Sequence, residues 1–196
     1  MNQKIINPKQ RRIDEKKIIL SSMLLAGAIF ASEPFSVEVE GLQNGKFANE
    51  NLLSKEYGFG CEGGNISPKI SWKNAPKETK SFVLTIYDKD APTGLGWVHW
   101  VVVNIPANAT YLPKGVLADG TNLPSPALQT RTDFGMPGYG GACPPKGQKH
   151  DYVITLTALK VEALPNVSKD ATPVLVGFFT KANAIKEVKI VVSDGR

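Results

Sequence analysis

The 196-residue chain has only two histidines, and each stands where an imidazole could do chemistry. His99 lies in Trp97-Val-His-Trp100, shortly after Tyr87-Asp-Lys-Asp-Ala-Pro92. His150 follows the Gly- and Pro-rich loop Gly135–Gly147 and opens His150-Asp-Tyr152. A carboxylate that accepts an imidazole N–H fixes the tautomer and raises the ring's basicity. Asp88 or Asp90 beside either histidine would therefore help build an oxyanion site: imidazoles donate, backbone amides donate, and an aromatic wall excludes water. Asp is also a natural turn residue, because its carboxylate accepts nearby backbone N–H groups. For either carboxylate taken alone, turn formation is the simpler role.

Other chemistries fit the pattern less well. A site of two histidines and a carboxylate suits several metals, but no HxH, HxxxH or HExxH spacing is present, so no metal is expected. The glycines of Gly135–Gly147 could turn consecutive amides inward as an anion-binding nest. They do not follow a strand and open a helix, as a dinucleotide fingerprint requires. A serine or cysteine hydrolase needs an exposed nucleophile beside a histidine; Cys143 is placed for that, unless a disulfide consumes it. An acid–base phosphohydrolase would use the same residues that bind phosphate. The expectation is a non-enzymatic binding pocket without cofactor.

The formal charge of +5 at neutral pH suggests nucleic acid until it is located. Lys4, Lys9, Arg11, Arg12, Lys16 and Lys17, against Asp14 and Glu15, carry most of it ahead of residue 18. The remainder is too nearly neutral to track a phosphate backbone, so no nucleic-acid partner is expected. Behind the basic segment runs Ile18–Ala31, uncharged and apolar, then Ser32-Glu33-Pro34. This order reads as a secretory signal peptide over residues 1–31. It is short of the ~20 apolar residues that a span needs, so no stable membrane span is expected after its removal. Residues 32–196 then form a single exported domain, periplasmic or secreted. In an oxidising compartment Cys61 and Cys143 can pair; otherwise they remain two buried thiols.

The elements that must position these residues read as mostly β. Period-two runs broken by Gly, Pro and Asn predict strands over 35–40, 70–72, 81–87, 99–105, 152–160 and 188–193. A helical spacing of Phe178, Ala182 and Ile185 predicts one helix over 177–187. Strict alternation puts Trp97, His99, Val101 and Val103 on one face of their strand, and His150, Tyr152, Ile154 and Leu156 together on another. Each histidine thus stands at a strand entrance, on a face that continues into apolar residues. Trp72, Trp97 and Trp100 are expected in the core or in a pocket wall, and Arg131-Thr-Asp-Phe-Gly135 as an ion pair or loop anchor.

Five segments in order carry a resemblance: Gly63-Gly-Asn-Ile-Ser-Pro-Lys-Ile-Ser-Trp72; Asp88-Lys-Asp-Ala-Pro92 with Trp97-Val-His-Trp-Val-Val-Val-Asn-Ile-Pro106; Gln129-Thr-Arg-Thr-Asp-Phe-Gly135; Gly140-Gly-Ala-Cys-Pro-Pro-Lys-Gly147; and His150-Asp-Tyr152. Together they resemble the phosphatidylethanolamine-binding protein family, in its bacterial branch of Raf-kinase-inhibitor-like proteins, over about residues 35–193. The resemblance implies a β-sandwich with Greek-key connections, one or two short helices, and a small pocket for phosphate-type anions such as phospholipid head groups. Carried over, the pocket residues are Asp88, Asp90, Pro92, Trp97, His99, Gly141, His150 and Tyr152. The chain departs from the family pattern at Lys89, which replaces a proline, and at the shortened loop Thr93–Gly96. It departs also at Cys143, which replaces a glycine and fits a bridge to Cys61, and in stopping without the C-terminal helix of animal members. An alternative function is a protein-interaction or inhibitor module acting on a protease or kinase through its loops; a hydrolase in the same pocket ranks third.

Overall fold

Runs that alternate apolar and polar residues favour strands buried on one face. The computed structural model, which describes residues 33–196, contains eight of them. They are β1 (Ser36–Val39), β2 (Ile70–Lys73), β3 (Ser81–Asp88), β4 (Trp97–Pro106), β5 (Tyr111–Leu112), β6 (Leu128–Gln129), β7 (Lys149–Leu159) and β8 (Ala184–Gly195). All pair antiparallel, as a three-stranded sheet β1-β2-β5 and a five-stranded sheet β6-β4-β3-β7-β8. The fold is mostly β, with crossovers that bring β6 beside β4 and β7 beside β3. The six expected strands are present. β5 and β6 have only two residues each, too few for a period to register. The expected leader, residues 1–31, lies outside the described residues, among which no helix is long and apolar enough to cross a membrane.

The core lies between the sheets. Phe82, Leu84 and Ile86 of β3, Trp100 and Val102 of β4, and Ile154 and Leu156 of β7 pack against Val39, Ile70, Trp72 and Leu112 of the small sheet. Burying each large side chain contributes roughly 1.5–3 kcal/mol. Trp72 and Trp100 belong to this core. A second cluster covers the outer face of the large sheet, where Val83, Val101, Val103 and Leu159 meet Leu164, Ala171 and Val176.

Val176 lies on α1 (Pro173–Asn183). The helix starts and ends four residues before the expected span. The Thr172 side chain accepts from the Leu175 N–H, and Pro173 begins the first turn, where its missing N–H costs nothing. Ala184 is already extended and opens β8. Residues 184–187, expected to be helical, therefore pair as a strand with β7.

Two irregularities in β4 matter for the site. Phe82 pairs with Ile105 but Leu84 with Val102, and Ile86 pairs with Trp100 but Tyr87 with Val98. Each step inserts one extra residue in β4, and in the second that residue is His99. A bulge resets the inward and outward alternation. Val98 therefore packs on the outer cluster with Val101, whereas the His99 ring meets Tyr152 of the inner one. The expectation that His99 shares a face with Val101 and Val103 is overturned.

Candidate functional site

At the ends of β3, β4 and β7 the two histidines converge on one cavity of about 190 Å³. The strands supply Asp88, Trp97, His99 and His150 to its wall. The β3–β4 turn supplies Ala91, Pro92 and Thr93, and loops supply Leu53, Phe59, Phe134, Cys143 and Pro145. A wider groove of about 520 Å³ under α1, on the outer face of the sheet, is lined by valines, threonines and lysines without a histidine.

β7 carries His150 inward, and its Nδ1 donates to Asp88 Oδ2 at 2.7 Å. Both side chains are buried. The other ring nitrogen meets Gln148 Oε1 at 2.9 Å. Asp88 and Gln148 thus engage both ring nitrogens. Asp88 combines the two roles open to it, because its Oδ1 also accepts the Asp90 N–H at 2.9 Å and closes the turn. A pair removed from water this far holds only while both partners remain.

His99 is held differently. Its Nδ1 donates to the Gly140 carbonyl at 2.8 Å, and the Gly140 N–H returns to the His99 carbonyl at 2.9 Å. Edge contacts from Phe134 and Tyr152 bury the ring. That burial holds its protonation below the usual histidine range, against the Gly140 and Gly141 backbone and the charges of Asp88 and Asp133. Nε2 has no hydrogen-bond partner among the described residues, and the ring lines the cavity.

The remaining expected site residues are distributed unevenly. Trp97 forms wall, and its indole N–H is buried without a partner. Pro92 is also wall. Tyr152 stands behind His99 rather than at the cavity surface. Its hydroxyl is close to Asp88 and the Cys143 backbone but in hydrogen-bond geometry with neither. Burial, then the charge of Asp88, pushes ionisation of that phenol far upward, so it stays a donor. Asp90 turns away to accept the Asp151 N–H at 2.8 Å. Lys89, whose charge could have served the rim, is engaged by Asp151 at 3.0 Å and Asp90 at 3.6 Å.

Gly141 supports the wall from behind. A Cβ there would collide with the backbone of Asn51 and Leu52, and its N–H donates to Asn65 Oδ1 at 2.8 Å. Asn65 also donates from Nδ2 to the Tyr139 carbonyl at 3.0 Å, so one side chain fixes the whole 139–141 turn. The expected anion nest is not formed by these glycines. The amides of Gly135, Gly140, Gly141 and Gly147 bond to Thr132, His99, Asn65 and Arg196 instead. Asp133 is a loop anchor, accepting the Val98 N–H at 2.6 Å, and this swings Phe134 into the cavity.

Phe134 meets Tyr57, Phe59, Trp97 and His99 edge-on. Cys61 and Cys143 form a disulfide across 82 residues, tying the segment that carries Phe59 to the loop that carries Pro145. Arg196 bonds the Gly60 carbonyl beside it. Phe59 and Gln148 gave no signal in the sequence. Asn65 lay within a recognised motif, and only its positive φ of 50° and its place opposite Gly141 reveal its function.

Known proteins agree with this architecture. The UPF0098 protein YbcL of Escherichia coli is 47% identical over 178 residues, covering 89% of this chain and 96% of its own length. YbhB of the same organism is 48% identical over 133 residues, covering 68% of this chain and 84% of its own. The crystal structure of E. coli YbcL, described as a new member of the mammalian PEBP family, superposes with a TM-score of 0.77 at 46% identity, covering 83% of this chain and 98% of that one. The family model described as phosphatidylethanolamine-binding protein matches residues 43–193. With the two-sheet fold, the paired histidines and these matches in agreement, the chain belongs to the phosphatidylethanolamine-binding protein family.

Proposed function

We propose that this chain is a secreted or periplasmic, non-enzymatic binding protein whose cavity takes a phosphate-type oxyanion, free or as the head group of a larger molecule. The observation that carries this reading is the convergence of His99 and His150, from separate strands, on one cavity whose other walls are mainly apolar. The indole N–H of Trp97, a wall residue, is a buried donor without a partner. An unpaired buried donor costs about 1–3 kcal/mol, which an anion's oxygen can relieve. At about 190 Å³ the space is below the several hundred Å³ of a drug-sized site and suits a head group rather than an acyl chain. The disulfide and the basic-then-apolar leader support export.

Calorimetric titration of residues 32–196 with phosphate and phosphoethanolamine tests the reading. Saturable binding that His99→Ala abolishes is expected; no heat from either ligand would remove the anion from the proposal.

A second reading, a module that engages a protease or kinase, draws on Phe59 and Leu95, which stay 53% and 87% exposed near the mouth. Inhibition that survives His99→Ala would assign that activity to the loop surface.

A further inference from the structure

The two histidines offer a ligand different things. His150 has both nitrogens engaged by Asp88 and Gln148. His99 has one engaged, and the partner decides the proton's place. The Gly140 carbonyl can only accept, so Nδ1 carries the hydrogen and the neutral ring presents a lone pair at Nε2. An oxyanion entering the cavity meets an acceptor there. Contact is favourable only when a proton lies between them, supplied either by the ligand or by the solvent.

We propose that His99 makes this pocket selective for oxyanions that bring their own proton, so that its ligands are phosphomonoesters or phosphate in the monoanionic form rather than phosphodiesters or sulfate. The inference rests on the anion-pocket reading above and narrows it. A phosphomonoester monoanion carries one P–OH that can donate to Nε2 while another of its oxygens accepts from the unpartnered indole N–H of Trp97. A phosphodiester, the linkage of an intact phospholipid, has no such hydrogen near neutral pH. It must recruit a proton onto His99, and burial of the ring opposes that. The charged and titratable groups facing the ring are Asp88 from β3, His150 and Tyr152 from β7, and Asp133 from the loop before Phe134. Asp88 is bonded to His150 and Asp133 to the Val98 amide, so neither carboxylate is free to take a proton to Nε2.

The test is titration of residues 32–196 with methyl phosphate, dimethyl phosphate and sulfate between pH 5.5 and 8, in buffers of different ionisation enthalpy so that proton uptake is read directly. Methyl phosphate should bind with no net proton uptake below its second pKa of about 6. Its affinity should fall above that pH by about tenfold per unit. Dimethyl phosphate and sulfate should bind severalfold more weakly at pH 6, with net proton uptake and a continued gain toward lower pH. In His99→Gln, whose carboxamide can donate from Nε2, the three affinities should converge and the uptake vanish. Equal affinity of the wild type for the monoester and the diester, without proton uptake by the diester, would overturn the inference and leave the anion pocket standing. Failure of all three ligands would remove the anion pocket and the inference with it.

Discussion

The cavity has two walls built on different principles. Asp88, Trp97 and His150 project from residues paired with neighbouring strands, and His99 from the bulge in β4, tied to the Gly140 backbone. Leu53, Phe59, Phe134, Cys143 and Pro145 lie on loops, where a disulfide, the Asn65 side chain and edge-on aromatic contacts hold the wall in place. All the ionisable groups of the cavity are on the strand wall, and the loop wall supplies enclosure. The sheet thus sets the chemistry of the site, and tertiary cross-links set its shape. The loop wall should loosen without harm to the Asp88–His150 pair, whereas removing one partner of that buried pair should cost stability directly.

Perturbations of decreasing size test that division. Replacing both cysteines by serine opens an 82-residue loop, and the chain-entropy model puts the loss at about 4.5 kcal/mol. Urea denaturation should show that loss, while the histidine resonances of the folded fraction keep their shifts; a changed His150 environment would mean that the walls are coupled. Asp88→Ala strands a buried His150 without its partner, and about 4 kcal/mol of stability should go with it. A loss below about 1 kcal/mol would show that solvent reaches the pair. Asn65→Ala removes the acceptor of Gly141 and the donor to Tyr139, and about 2 kcal/mol is expected from the groups left unpaired.

The smallest effect isolates His99. Its protonation is depressed in the folded state, so below pH ~6.5 the unfolded chain binds a proton that the folded chain refuses. Stability from this residue is fully present above that pH and is lost progressively as pH falls below it. Comparison of wild type with His99→Gln should show this slope only in the former. A wild type that gained stability on acidification relative to the variant would reverse the assigned direction.

The division also explains what could be read in advance. The β7 face was legible because burial alternates without interruption from Lys149 to Leu156, and Tyr152, Ile154 and Leu156 are all in the inner core. The long strands and the mostly β class followed from the same periodicity. Alternation failed in β4, since nothing in Trp97-Val-His-Trp100 announces that His99 will be passed over by the pairing of Ile86 and Tyr87. The histidines were singled out by scarcity and motif, and a parity argument alone would have sent one to the wrong side. The start of α1 was available in Thr172-Pro173 but was outweighed by apolar spacing further along. Phe59 and Gln148 reach the site through loop paths that no local period encodes. Gly96 marks the intermediate case. Any side chain there would strike the Tyr87 ring, whose hydroxyl bonds the Leu95 carbonyl at 2.9 Å. That contact holds the short turn leading into Trp97, and a glycine alone does not reveal it.

The strand order leaves β8 at one border of the large sheet, with twelve residues of backbone paired on one side only. Such a border is a template for a neighbouring molecule's strand, and proteins commonly guard it with charge. Here Lys186, Glu187 and Lys189 stand exposed along the first half, while Val191 is left 51% exposed further on. Solubility at high concentration therefore depends on a few charged side chains remote from the pocket. Chemical acetylation of those lysines would turn a guarded border into an adhesive one without altering a single residue of the cavity.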